Sequence, residues 1–300
     1  MTRYLTRPPL WLADLMLLAV AIVWGSSYGI TKEALAFYPV LGFLAVRFGL
    51  TFLLLLPSLY PLSRTVRRAA WRAGVPLGAL LLGIFLCETY GVSHTRAANA
   101  AFLISLCVVF TPFAQWLLLR QRPDRTAWLA TGVSLLGAAL LTDGASMHWG
   151  WGDALMLGAA MLRAILVCLT KKWQHNVPAL PLTAVQAATV ATGCLIIGTL
   201  MLPNGLPALP QVNAFWLASV YLVLLCTVFA FFAQNYALRR QSPTRVALLM
   251  GSEPVFGALF AVVWLGEQLT PVAWLGGLLI VAASLWAILP ARTPKLQLAG

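Results

Sequence analysis

The 300-residue chain is 61% hydrophobic and only 9% charged, with a formal net charge of +12 and a mean hydropathy of +0.86. Soluble domains carry roughly 25% charged residues, so a water-soluble globule is excluded. A charge of +12 could suit a nucleic-acid partner, but the basic residues cluster at the ends of apolar runs, which makes nucleic acid an unneeded explanation.

Ten such runs follow one another: Leu12 to Thr31, Pro39 to Leu59, Gly74 to Ser93, Ala97 to Leu119, Thr126 to Thr142, Trp151 to Thr170, Leu182 to Leu202, Ala214 to Ala237, Arg245 to Leu265 and Pro271 to Leu289. Each is near the ~20 residues that a helix needs to cross a ~30 Å hydrocarbon core. They lack the polar stripe of a water-facing helix and the period-2 alternation of a membrane barrel. Helices are then the way to satisfy the backbone in lipid, and the expected fold class is an all-α integral membrane protein with ten transmembrane helices. Arg3 and Arg7 precede a full-length first run with no small-residue cleavage site, so no removable signal is expected.

With the N-terminus placed inside, only Lys32 and Arg96 fall on outer connections, whereas the inner stretches collect basic residues such as Arg64, Arg67, Arg68, Arg72, Arg120, Arg122 and Arg125. This is the positive-inside pattern, and it puts both termini in the cytoplasm of a bacterial-type inner membrane. The five cysteines lie within runs and show no metal-ligand or paired spacing. No cofactor or metal is expected.

The second half of the chain repeats the first. Ala127-Trp128-Leu129 matches Ala273-Trp274-Leu275, and Asp14 matches Asp153 with Thr31-Lys32 falling on Thr170-Lys171. Five is odd, so the second copy must be inverted. The expected organisation is residues 1–142 as one five-helix repeat and 143–300 as the other, within one integrated domain. Inverted repeats are characteristic of alternating-access transporters with a site near the midplane.

Trp24-Gly25-Ser26-Ser27 in the first run, Pro112 and Pro254 in the fourth and ninth, and Gly266-Glu267-Gln268-Leu269-Thr270 before Trp274-Leu275-Gly276 together resemble the EamA-type drug/metabolite transporter superfamily. The resemblance spans the whole chain and is nearest to the bacterial aromatic amino acid exporters. It implies export of small metabolites through a cavity lined by helices one, three, four, six, eight and nine. Gln121 departs from the pattern where the second half has Glu267, and Arg163 falls opposite Trp24.

Ionisable residues within the runs are Arg47, Glu88, Arg163 and Glu253. Such residues default to functional hypotheses. Counted at 1.5 Å per residue, Arg163 lies about 18 Å from Trp151 and Glu253 about 18 Å from Leu265, so these two are expected to meet near the midplane. Arg47 and Glu88 form a second expected pair nearer the outside. Arg163 and Glu253 could receive the carboxylate and ammonium of an amino acid, or the pairs could simply neutralise each other and lock helices. Glu88 or Glu253 could also carry a proton.

Trp24, Tyr28, Phe102, Phe229 and Tyr236 are the aromatic candidates for the cavity, with Ser27 and Asn99 as polar contacts and Pro112 and Pro254 as kinks. Each of these also has an ordinary packing reading. Gly25-Ser26-Ser27-Tyr28-Gly29 formally reads G-x-S-x-G, but within a helix and without a histidine base inside a span. A hydrolase is therefore the least favoured alternative, behind an exporter of lipophilic cations or nucleobase-like compounds. The expected partners are a small-molecule solute and the lipid bilayer, without nucleic acid; proton coupling and passive facilitation both remain open from the sequence, as does the oligomeric state, for which a monomer is one candidate.

Overall fold

A computed structural model describes residues 10–95, 97–141, 150–174, 177–201, 205–265 and 268–288, all helical or connecting, with no strand among them. Among the described residues the chain makes ten helical crossings. The crossings are α1 (Leu10–Leu35), α2 (Val40–Leu55, extended by a 3₁₀ turn at Leu56–Leu59), α3 (Arg64–His94), α4 in two pieces (Ala97–Ser105 and Cys107–Leu119) and α5 (Arg125–Leu141). After them come α6 (Trp151–Trp173), α7 (Ala179–Met201), α8 (Asn213–Val223, a π turn at Leu224–Phe229, then Ala230–Leu238), α9 in two pieces (Pro243–Met250 and Glu253–Leu265) and α10 (Pro271–Ile288).

The surface of this bundle is apolar: Leu53 is 62% exposed, Leu117 80%, Leu200 80% and Val263 79%. Such a face has no stable contact with water and is matched by lipid tails. The arginines before the third apolar run are part of α3 and not of a loop. Ser63 opens that helix by accepting the Val66 N–H at 3.4 Å, which puts Arg64, Arg67, Arg68 and Arg72 on its first turns. They share one end of the molecule, here called the basic face, with Arg120, Lys171, Lys172, Arg239 and Arg240.

Packing follows the repeat. Helix α5 lies against α10, α2 against α7, α3 against α6, and α1 against α8 and α9, while α4 lies against α6 and α9. Exchanging each helix for its counterpart five positions on leaves this set unchanged, since α3 on α6 becomes α8 on α1. The two five-helix repeats are thus related by a pseudo-twofold axis, and because each repeat has five crossings that axis lies in the membrane plane.

Glycine sets the closest approaches. A Cβ on Gly137 would stand 2.7 Å from the Gly276 carbonyl, which ties α5 to α10, and one on Gly25 would stand 2.7 Å from both the Glu253 carbonyl and the Gly257 nitrogen, which ties α1 to α9. Gly74 and Gly78 face Val185 and Thr189 of α7, whereas nothing lies within 4 Å of a Cβ on Gly29.

The breaks in α4 and α9 lie near their prolines but not at them. Helix α4 runs through Pro112 and is interrupted at Leu106, whose N–H bonds the Leu103 carbonyl in a single tighter turn. Pro254 stands in the first turn of the second piece of α9, where its missing N–H costs nothing, and the break is at Gly251 and Ser252 just before it.

Candidate functional site

Trp24, Ser27, Tyr28 and Thr31 recur at i, i+3, i+4 and i+7, and so do Phe85, Glu88, Thr89 and Val92; each set therefore occupies one face of its helix. Helices α1 and α3 turn these faces toward one chamber, closed by Arg47 from α2, Arg163 from α6 and Glu253 from α9. A second chamber is lined by Ser105, Cys107 and Thr111 of α4, Arg163 and Val167 of α6, and residues of α9 that include Met250, Glu253 and Pro254.

Chain direction separates the two. Along α1 and α3 the first set advances away from the basic face, whereas Thr111 and Val167 advance toward it. Arg163 and Glu253 belong to both chambers and form the wall between them. The chambers hold about 20 Å³ and about 10 Å³ of water-accessible space, roughly one water each and far less than a metabolite.

The wall is a connected polar unit. Arg163 Nη1 lies 3.4 Å from Glu253 Oε2, and Tyr28 donates its hydroxyl to Glu253 Oε1 at 2.5 Å. The Arg163 guanidinium stands 4.4 Å from the centre of the Trp24 ring, close enough for cation–π attraction. Trp24 in turn donates its indole N–H to the Cys226 carbonyl at 2.9 Å. Trp24 and Arg163 stand as far apart in sequence as Asp14 and Asp153, so repeat-related positions touch across the twofold axis.

That carbonyl is available because α8 widens into a π turn, a feature that frequently marks functional sites. The same turn presents Thr227, whose hydroxyl accepts from Arg47 Nε at 2.9 Å and donates to the Leu222 carbonyl five residues back at 2.8 Å. The Arg47 guanidinium lies 5.0 Å from the Phe85 ring centre and 5.7 Å from that of Phe48. No ion pair joins Arg47 to Glu88, contrary to the sequence expectation, because Arg47 turns toward α8.

Of the residues singled out in the sequence, Trp24, Ser27, Tyr28, Glu88, Arg163 and Glu253 converge on the chamber farther from the basic face. Ser27 returns its hydroxyl to the Trp24 carbonyl at 2.8 Å. Phe102 packs beside the α5–α10 contact, Phe229 packs on the main core, and Tyr236 sits under the Arg240 guanidinium at 3.7 Å; none of these three lines either chamber. The side chain of Asn99 lies outside the described residues, as do Gly266 and Glu267. Sequence reasoning missed Thr31, Thr89, Val92, Cys107 and Thr227. The i, i+3, i+4, i+7 series through Glu88 was the available signal for two of them.

An aspartate ties neighbouring segments together at each face. At the basic face Asp14 of α1 accepts Arg245 Nη2 at 2.8 Å on Oδ2, and Gln241 Nε2 at 2.6 Å on Oδ1. At the opposite face Asp153 of α6 accepts the Thr95 hydroxyl at 2.5 Å and the Gly150 N–H at 3.0 Å. Gln241 follows Thr95 at the spacing that relates Trp274 to Trp128, so the two closures are built at matching places of the repeat.

A solved structure superposes with a TM-score of 0.76 at 17% identity, covering 93% of this chain and 99% of the other, a likeness of fold alone. The threonine/homoserine exporter RhtA of Escherichia coli (strain K12) is 28% identical over 96% of this chain and 95% of its own. An uncharacterized transporter of Archaeoglobus fulgidus is 28% identical over 90% of this chain and 84% of its own. The uncharacterized inner membrane transporter YedA of E. coli (strain K12) is 26% identical over 90% and 88%. The EamA-like transporter family matches twice, over residues 11–143 and 150–289, which between them take in all ten crossings, and the chain belongs to that family of multi-pass membrane transporters.

Proposed function

We propose that the protein exports small amphipathic metabolites, foremost amino acids, by alternating access across the wall formed by Arg163, Glu253 and Tyr28. The observation that carries this reading is the position of that wall: one ion pair at mid-depth belongs to two chambers that extend toward opposite faces. A solute held beside it passes from one side to the other when the pair and its helices rearrange. On this reading, chambers narrowed to about one water each belong to a closed state between the two open ones.

The basic face is then cytoplasmic, as the placement of arginine and lysine favours, and export runs from it to the other side. The halves, residues 1–142 and 143–300, act as the two moving bodies. Amino acids are favoured over lipophilic cations because the chamber carries guanidinium as well as carboxylate groups. The similarity to a protein named as a threonine/homoserine exporter points the same way, and the rings of Trp24, Phe48 and Phe85 extend the expectation to aromatic side chains.

The test is counterflow in proteoliposomes with labelled threonine and phenylalanine, with and without a proton gradient. Trans-stimulated uptake of either amino acid is the expected result. Movement of a lipophilic cation alone, insensitive to both amino acids, would replace this reading with drug export.

A further inference from the structure

The charges of the larger chamber divide into a satisfied set and an unsatisfied one. Arg163 and Glu253 are paired with each other, with Tyr28 on the remaining carboxylate oxygen and Trp24 under the guanidinium. Arg47 donates only through Nε, to Thr227, and its two Nη groups meet no acceptor among the described residues. Glu88 accepts no hydrogen bond from any described residue, and its Oε2 is enclosed by protein. Arg47 and Glu88 line the same chamber and are more than 4.0 Å apart.

We propose that Arg47 and Glu88 receive the two ends of a zwitterionic solute, the α-carboxylate on the Arg47 Nη groups and the α-ammonium on Glu88, with Arg163 and Glu253 serving as the partition beneath it. This rests on the carrier reading above and assigns its ligand as an α-amino acid.

Three physical points support the assignment. Buried charge without a partner is costly, and a ligand that supplies the missing partners recovers that cost. Arg47 is held in orientation by Thr227 and by the rings of Phe85 and Phe48, so its free edge is preorganised to meet a carboxylate in two-point fashion. The repeat also shows that the fold does not need these charges. The spacing that relates Asp14 to Asp153 places Gln186 opposite Arg47, and the spacing that relates Thr95 to Gln241 places Gln234 opposite Glu88, so the other half builds the same helices with neutral residues at both positions.

The experiment is counterflow of labelled phenylalanine competed by phenylalanine itself, by phenethylamine, which lacks the carboxylate, and by 3-phenylpropionate, which lacks the ammonium. Wild type is expected to prefer the zwitterion over both analogues by about tenfold or more. Glu88→Gln should lose that preference against 3-phenylpropionate and keep it against phenethylamine, and Arg47→Gln should do the reverse. Glu88→Asp and Arg47→Lys, which keep the charges, should retain the wild-type order with weaker binding. A variant that moves no solute is scored by thermal stabilisation with the same three probes. Unchanged selectivity in both neutral variants overturns the proposal, as does transfer of the whole effect to Arg163→Gln. If wild type moves neither amino acid, the carrier reading itself has failed, and that result is distinct from a carrier with unaltered selectivity in the variants.

Discussion

At the basic face Asp14 holds a guanidinium and an amide; at the opposite face Asp153, its counterpart in the repeat, holds a hydroxyl and a backbone N–H. The two aspartates are equally buried, at 4% and 3% exposure, so burial does not distinguish them. What differs is the partner. A charge-assisted pair with two-point geometry is stronger than a hydroxyl bond, and Arg245 spans from α1 to α9 where Thr95 only reaches from a connection to α6. The same acid stands at matching places of the two halves, and its different partners make the two contacts unequal.

Removing the charge from the stronger closure should have the largest effect. Asp14→Asn removes the carboxylate that pairs with Arg245. Breaking a fully buried pair costs roughly 3–5 kcal/mol, and the 23% exposure of the Arg245 side chain lowers the expectation to about 2 kcal/mol. With the five native cysteines replaced by alanine, Val167→Cys reports access to the chamber on the basic side. Its labelling by a water-soluble maleimide should rise on the order of tenfold or more in the Asp14→Asn background.

Asp153→Asn is the matched change. The amide oxygen can still accept the Gly150 N–H while the Thr95 bond is lost, and no buried charge is stranded, so about 1 kcal/mol is expected. Labelling at Val92→Cys, in the other chamber, should rise about fivefold. Equal responses to Asp14→Asn and Asp153→Asn at their respective reporters would break the comparison.

Both closures, like the wall between them, are only partly legible in the order of the residues. Depth is legible: the apposition of Arg163 and Glu253 follows from counting 1.5 Å per residue along two spans that lipid keeps upright. Azimuth is not. Phe102 and Phe229 pack against other helices and Tyr236 stands near the end of α8 under Arg240, and aromatic residues give no inward signal in a chain whose outer surface is apolar too. The partner of Arg47 is hidden for a related reason. A π turn rotates everything after Leu224 relative to an ideal helix, and that rotation brings Thr227 to the guanidinium where regular periodicity gives no warning. The break of α9 falls on Gly251-Ser252 rather than on Pro254, since a proline at the start of a helical piece fits the helix that follows it, whereas α4 breaks at Leu106 and runs on through Pro112.

The smallest expected effect comes from Thr95→Val, which keeps shape and removes only the hydroxyl that reaches Asp153. Thr95 is part-exposed, so water can take up the freed carboxylate oxygen while the Gly150 N–H stays in place. The loss should be about 0.5 kcal/mol, a two- to threefold rise in labelling at Val92→Cys with no change at Val167→Cys. The double variant Asp153→Asn with Thr95→Val should then add little to Asp153→Asn alone, because both changes remove the same contact. Full additivity would mean that Thr95 closes the face through some other neighbour and that the hydroxyl bond to Asp153 contributes nothing to the closure.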